Sequence, residues 1–132
     1  MKESYRPVLS SIPSILEFIE RRMNAEDVSS KTVMQVCLVV EEIATNIIYH
    51  GQLAPQTLID VVFTSDPDAI TICISDQGVP FNPLEVDTPD LNTSLEEREV
   101  GGLGLFFVKQ FMDRVHYKRA NDRNYIYLIK NK

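Results

Sequence analysis

The hydrophobic and polar positions of this chain change period several times, and each change marks a predicted element. Residues 3–9 fit a short strand. Ser10-Ser11 then offers an N-cap, and Pro13 falls in the first turn of a helix that ends near Asn24. The apolar positions of this first helix have helical spacing, at Ile12, Ile15, Leu16 and Ile19.

A second, longer helix is predicted from Ser29-Ser30 to Tyr49 or His50, with Gly51 as its C-cap. Its apolar stripe repeats every three or four residues, as is typical of a helix with one face on a core. The stripe comprises Val33, Val36, Cys37, Val40, Ile43, Ala44 and Ile47.

The period then becomes two, which indicates strands. Residues 57–64 and 70–75 each alternate apolar and polar positions around an Asp66-Pro67-Asp68 turn, so they predict an antiparallel hairpin. A last pair, residues 114–119 and 125–130, flanks an Asn121-Asp122-Arg123 turn and predicts a second hairpin.

Between the two hairpins, residues 79–100 show no clear period and contain three prolines. A structureless stretch of this length in a compact domain is typical of a lid or binding loop. A third helix is predicted to start in the glycine cluster at residues 101–104 and to run through Leu105, Val108 and Met112.

The order of these elements predicts the fold class. Strands joined by hairpins cannot form a fully parallel sheet. We therefore expect an α+β, two-layer sandwich: a mixed, mostly antiparallel sheet with three helices on one face. The 132 residues suit a single domain spanning residues 1–132.

Composition narrows the classes of function. A net charge of −6 argues against direct binding of nucleic acid, which requires basic surface. We find no apolar run long enough to span a bilayer and no signal-peptide pattern, so we expect no membrane contact and a cytoplasmic location. Cys37, Cys73, His50 and His116 lack zinc-site spacing, and we interpret both cysteines as small buried hydrophobes.

Three short blocks carry candidate chemistry. In the second helix, Glu42 and Asn46 are four residues apart and share a face. An amide oxygen can ligate Mg²⁺, and a carboxylate one turn away can orient or deprotonate a hydroxyl or water near a phosphate. A solvated helix face is the alternative.

Asp76, Gly78 and the glycine cluster form the other two blocks. Asp76 is predicted to lie on the same face of its strand as the inward-facing isoleucines. Its carboxylate would therefore point into the crevice between the sheet and the helices, where it could accept a hydrogen bond from an adenine amino group. An Asx-turn is the alternative there. Gly101, Gly102 and Gly104 at a helix entrance favour phosphate binding by backbone N–H groups, although a flexible hinge explains them too. Neither a Walker loop nor a Rossmann fingerprint occurs.

In this order and spacing, the blocks resemble the GHKL (Bergerat-fold) ATPases, and most closely their small anti-sigma factor serine-protein kinases. Residues 42–51 are similar to the N box, residues 76–83 to the G1 box, and residues 101–113 to the G2 box and the helix after it. The resemblance implies a histidine kinase-like ATPase domain that binds ATP and Mg²⁺.

The resemblance also implies roles for individual residues. Glu42 would be the general base and Asn46 the Mg²⁺ ligand. Asp76 would accept from the adenine amino group with Gly78 beneath the ring, and residues 84–100 would form the ATP lid, with Arg98 as a candidate γ-phosphate contact. The remaining nucleotide contacts would be Thr45, Gly102, Leu103, Gly104 and Leu105.

As a function, the resemblance implies a serine kinase that phosphorylates a small antagonist (anti-anti-sigma) protein. It also implies a homodimer and, in some members, capture of a sigma factor. A two-domain histidine kinase is disfavoured, because the chain leaves no room for a dimerisation domain with a phosphoacceptor histidine. Two alternatives stay open: a non-catalytic, ATP-dependent binding module that sequesters a sigma factor or another regulator, and a simple ATPase.

Overall fold

The computed structural model describes residues 1–85 and 102–132, the first four of the second range by their backbone alone. Two short 3-10 helices, Leu9–Ser11 and Pro83–Glu85, accompany the main elements. In chain order these are β1 (Lys2–Tyr5), α1 (Ile12–Asn24), α2 (Ser30–His50), β2 (Ile59–Ser65), β3 (Ala69–Asp76), α3 (Gly102–Phe111), β4 (Arg114–Ala120) and β5 (Arg123–Asn131).

All the strands and helices predicted from the sequence are present, but the first strand is shorter than expected. It ends at Tyr5 instead of residue 9, and a 3-10 turn begins at Leu9. Pro7 explains the early end, because proline has no N–H to donate to a strand ladder.

The five strands form one sheet in the order β1-β2-β3-β5-β4, and all four pairings in the described chain are antiparallel. The predicted α+β class is therefore confirmed, but the expectation of a mixed sheet is wrong for the described residues, because the two hairpins, the β1–β2 pairing and the β3–β5 pairing are all antiparallel. Pairing of β3 with β5 places the second hairpin directly beside the first and sets Asp76 opposite Asn124.

The core lies between the helices and one face of the sheet. Alternate residues of the central strands are fully or almost fully buried there, together with the apolar stripes of α1 and α2 and with Val108 of α3. Burial of one such aliphatic side chain stabilises the fold by about 1.5–3 kcal/mol. The strand residues in this core include Ile59, Val61, Phe63, Ile70, Ile72, Ile74, Ile126 and Leu128.

Two features of the sequence behave differently from expectation. By length and composition alone, α2 could cross a membrane, although we expected no apolar run long enough to do so. In this helix, 44% of the 18-residue apolar segment is buried inside the protein, as in a core helix of a globular fold. Cys37 and Cys73 are free thiols, but they are only half-buried.

Candidate functional site

The polar row of α2 lies inside the protein at Asn46. This side chain is fully buried, and its Nδ2 donates a hydrogen bond to Oε1 of Glu42 at 3.1 Å. Glu42 is half-buried, whereas His50 at the end of the row is exposed and packs its ring against Phe81. A solvated helix face therefore does not describe Asn46.

The Asn46 amide leaves one buried oxygen unsatisfied. Its Oδ1 has no hydrogen-bond partner within the described part of the chain, although the atom is shielded from solvent. A buried hydrogen-bond acceptor without a partner lowers the stability of the fold by about 1–3 kcal/mol. A native protein keeps such an atom where a bound water, ion or ligand supplies the partner. A hard amide oxygen is a suitable ligand for Mg²⁺.

Glu42 has the electrostatics of a base. Burial raises the pKa of its carboxyl group, the hydrogen bond from Asn46 lowers it, and the charge of the neighbouring Glu41 raises it; the net direction is upward. A carboxylate with a raised pKa is a better proton acceptor than an ordinary glutamate near neutral pH.

The carboxylate of Asp76 is also held inside the protein. Asp76 is 2% exposed, and its Oδ1 accepts hydrogen bonds from the Gly78 N–H at 2.8 Å and from Nδ2 of Asn124 at 3.0 Å. The bond from Gly78 is the Asx-turn considered above. The Asx-turn uses only the Oδ1 atom of Asp76. It is therefore compatible with a carboxylate group that faces the interior of the protein.

Gly78 brings the second block against the end of the first. The Val79 N–H donates to the carbonyl oxygen of Gly51 at 3.0 Å, and a Cβ at Gly78 would lie 2.2 Å from the same oxygen. The sequence predicted that this glycine allows close approach of a purine. In the structure, Gly78 lies close to the backbone of Gly51, at the C-terminal end of α2.

Asn124 is a member of this site that the sequence analysis missed. It is 2% exposed, and besides Asp76 it contacts the loop after β3 through the Val79 carbonyl. It directly follows the Asn121-Asp122-Arg123 turn, and no pattern in the sequence marks it as a site residue. The sequence does not show that β3 pairs with β5. This pairing brings together Asp76 and Asn124, which are 48 residues apart in the sequence.

The predicted phosphate-binding residues lie at the start of α3. The helix begins at Gly102, so Gly102, Leu103, Gly104 and Leu105 form its first turn, and α3 packs against α2. Gly101, Arg98 and the predicted lid beyond residue 85 lie outside the described residues.

A cavity of about 320 Å³ lies between α2 and α3, beside Glu42, the candidate base. Its walls include Glu42 and Thr45, so the structure brings these two predicted site residues together. Leu38, Glu41 and Phe107 complete the lining. The cavity gives another molecule a route to the Glu42 carboxylate.

Comparisons with known proteins identify the family of the chain. The model of the histidine kinase-like ATPase domain family matches residues 6–130. The serine-protein kinase RsbW of Bacillus mycoides is 25% identical, covering 87% of this chain and 79% of the relative. The anti-sigma F factor of Clostridium perfringens is 30% identical, covering 70% and 67%.

A solved structure shows the same fold. The SiaB–SiaC complex from Pseudomonas aeruginosa contains a chain that matches with a TM-score of 0.56 at 15% identity, covering 100% of this chain and 89% of that one. With the family match across nearly its whole length, this chain belongs to the histidine kinase-like ATPase domain family, in the branch that includes serine-protein kinases and anti-sigma factors.

Proposed function

We propose that this protein is an ATP-dependent serine kinase and anti-sigma factor-like regulator that phosphorylates a serine on a small antagonist protein. The relatives named serine-protein kinase support the reaction, and those named anti-sigma factor support a regulatory partner. The observation that carries the proposal is the hydrogen-bonded Glu42–Asn46 pair: Glu42 lines a cavity, and the buried Oδ1 of Asn46 has no hydrogen-bond partner within the described residues.

Each end of the nucleotide has candidate partners. Asp76 would accept a hydrogen bond from the adenine amino group, with Gly78 beneath the ring. Backbone N–H groups at the start of α3, from Gly102 to Leu105, would hold the phosphates, because a helix N-terminus favours anions. Thr45 would contact the nucleotide from the wall of the cavity.

Asn46 would hold the metal ion through Oδ1. Its Nδ2 is engaged by Glu42, and this hydrogen bond orients the amide so that the oxygen is the free ligand atom. When bound, Mg²⁺ would neutralise phosphate charge.

Glu42 would act on the acceptor hydroxyl. Its carboxylate takes the serine proton while the serine oxygen forms a bond to the γ-phosphorus. The bond from that phosphorus to the β–γ bridging oxygen breaks, and ADP leaves with the electron pair. The raised pKa of Glu42 suits this proton transfer.

Label transfer from γ-labelled ATP to the antagonist domain tests the reaction. The partner to use is a small antagonist domain that bears an acceptor serine. Glu42→Ala should lower transfer at least about 100-fold, the usual weight of a general base, and leave ATP affinity within about threefold. Glu20→Ala removes an exposed carboxylate of α1 that does not line the cavity beside Glu42, and it is the matched control. Loss of ATP binding in Glu42→Ala would instead make this residue structural.

The relative named anti-sigma F factor favours a second candidate, a binding module that uses ATP as a conformational ligand. The same incubation separates the candidates. A stoichiometric complex without label transfer indicates the module, and steady phosphate release from the protein alone indicates a simple ATPase.

We further propose a homodimer, as the family resemblance implies, and a cytoplasmic location, as the sequence pattern leads us to expect. The sheet face opposite the helices carries three stacked rings, with His116 4.5 Å and Tyr125 6.4 Å from Tyr127 between ring centroids. These rings offer apolar contact area for a second copy.

A further inference from the structure

Asn124 holds the carboxylate of Asp76 from the strand next to it. Its Nδ2 donates to Asp76 Oδ1 at 3.0 Å and to the Val79 carbonyl at 2.8 Å. One amide group therefore joins the end of β3 to the loop that follows. Both of its N–H bonds are used, and the side chain is 2% exposed.

The other end of the amide is held as firmly. Oδ1 of Asn124 accepts from the Phe81 N–H at 3.3 Å, from Nη1 of Arg119 at 3.2 Å and from the Tyr117 hydroxyl. A flipped amide would set N–H groups against these donors and an oxygen against Asp76. The network therefore allows a single orientation of the Asn124 amide.

Arg119 ties the same network to the loop. Its Nη1 also donates to the Gly78 carbonyl at 2.8 Å. Gly78 and Val79 are thus held from β4 and β5 on one side and by the Gly51 carbonyl on the other. These hydrogen bonds fix the position of the Asp76 carboxylate relative to the crevice between the sheet and the helices.

We propose that Asn124 is the positioning residue that makes the site selective for 6-amino purines; the inference rests on the proposed contact of Asp76 with adenine. Gly78 and Asn124 both donate to Oδ1 of Asp76, and within the described residues no hydrogen bond reaches Oδ2. Oδ2 accepts from the 6-amino group of adenine, whereas the 6-oxo group of hypoxanthine meets it acceptor to acceptor.

Calorimetric affinities for ATP and inosine triphosphate test the proposal, since the two nucleotides differ only in the 6-amino or 6-oxo group of the base and in the hydrogen on N1 that accompanies the 6-oxo group. The wild type should prefer ATP at least about tenfold. In Asn124→Ala the preference should fall below threefold, because Asp76 is released. Asn124→Asp keeps the size of the side chain but sets two carboxylates together, so it should weaken ATP at least tenfold and lose the preference as well.

Asn131→Ala is the matched control, because Asn131 ends the same strand with an exposed side chain. It should keep both affinities. Tyr117→Phe is the milder variant, needed where Asn124→Ala does not fold, and it should reduce the preference two- to threefold. A preference that survives in all folded Asn124 and Tyr117 variants overturns the inference.

Asp76→Ala separates this inference from the proposed function. If Asp76→Ala loses the preference and the Asn124 variants keep it, Asp76 reads the base without Asn124 and the inference is wrong. If Asp76→Ala binds both nucleotides like the wild type, the proposed adenine contact itself is wrong.

Discussion

At the residue scale, the Glu42 carboxylate is the group whose environment matters most. Burial is the largest influence on its pKa, and this influence acts upward, as does the charge of Glu41. Asn46 opposes them by donating a hydrogen bond. Within six positions, the helix thus holds the proposed base Glu42, its hydrogen-bond partner Asn46 and the charge of Glu41, which raises the pKa of Glu42.

The pH dependence of phosphoryl transfer should report this arrangement. Transfer needs ionised Glu42, so the rate should rise as pH increases through the pKa of Glu42, above the range of an ordinary glutamate. Glu41→Gln removes a charge that raises this pKa, so the acidic limb of the pH–rate profile should move to lower pH.

Glu20→Gln is the control for that experiment. Glu20 lines a neighbouring cavity together with Glu41 but is absent from the influences on the Glu42 pKa. Its profile should match the wild type. An unmoved acidic limb in Glu41→Gln would show that the limb reports another group.

At the element scale, α2 is the helix that carries Glu42 and Asn46, and its first turn is capped. The Ser29 Oγ accepts a hydrogen bond from the Thr32 N–H at 3.2 Å. Ser11 occupies the equivalent position of α1 but makes no capping bond through its side chain. The sequence predicted an N-cap at Ser10-Ser11 and only a helix start at Ser29-Ser30, but it is Ser29 that makes the capping hydrogen bond.

Ser29→Ala should therefore cost about 1 kcal/mol of unfolding free energy, the usual value of a capping serine. Ser11→Ala, the matched control, should change stability by less than about 0.5 kcal/mol. Urea denaturation of both variants measures the difference. Equal losses would mean that the cap of α2 contributes nothing beyond the substitution itself.

At the scale of the whole molecule, the site is a junction between layers. The end of α2 meets the loop after β3 through Gly51 and Val79, and β5 supplies Asn124 to the same loop. The proposed nucleotide would contact both the helical layer and the sheet there. Its binding free energy should therefore stabilise the fold as a whole.

Thermal unfolding with nucleotide measures this linkage. ATP with Mg²⁺ at 100 times its Kd should stabilise the protein by about 2.7 kcal/mol. Chelation of the metal should reduce the increase in Tm. Asn46→Ala should give a small increase that no longer depends on metal, whereas Asn131→Ala should respond like the wild type. A metal-dependent response retained in Asn46→Ala would exclude this amide as the ligand.

The sequence alone predicted most of the fold, for reasons local to each element. The period of apolar residues specified the helices and strands, and the turn residues specified both hairpins. At the second hairpin, Asn121 and Asp122 have φ values of 53° and 59°, in the region that the favoured two-residue hairpin turn needs and that these residue types tolerate. Such signals require only neighbours in the chain.

The sequence by itself also determined the pattern of Glu42, Asn46, Asp76 and the glycines, because spacing within a helix or strand sets which side chains share a face. Only the tertiary structure decided that Asn124 holds Asp76 and that Gly78 lies against Gly51. Those contacts depend on which strand pairs with β3 and on how α2 crosses the sheet, and packing of the whole core selects both.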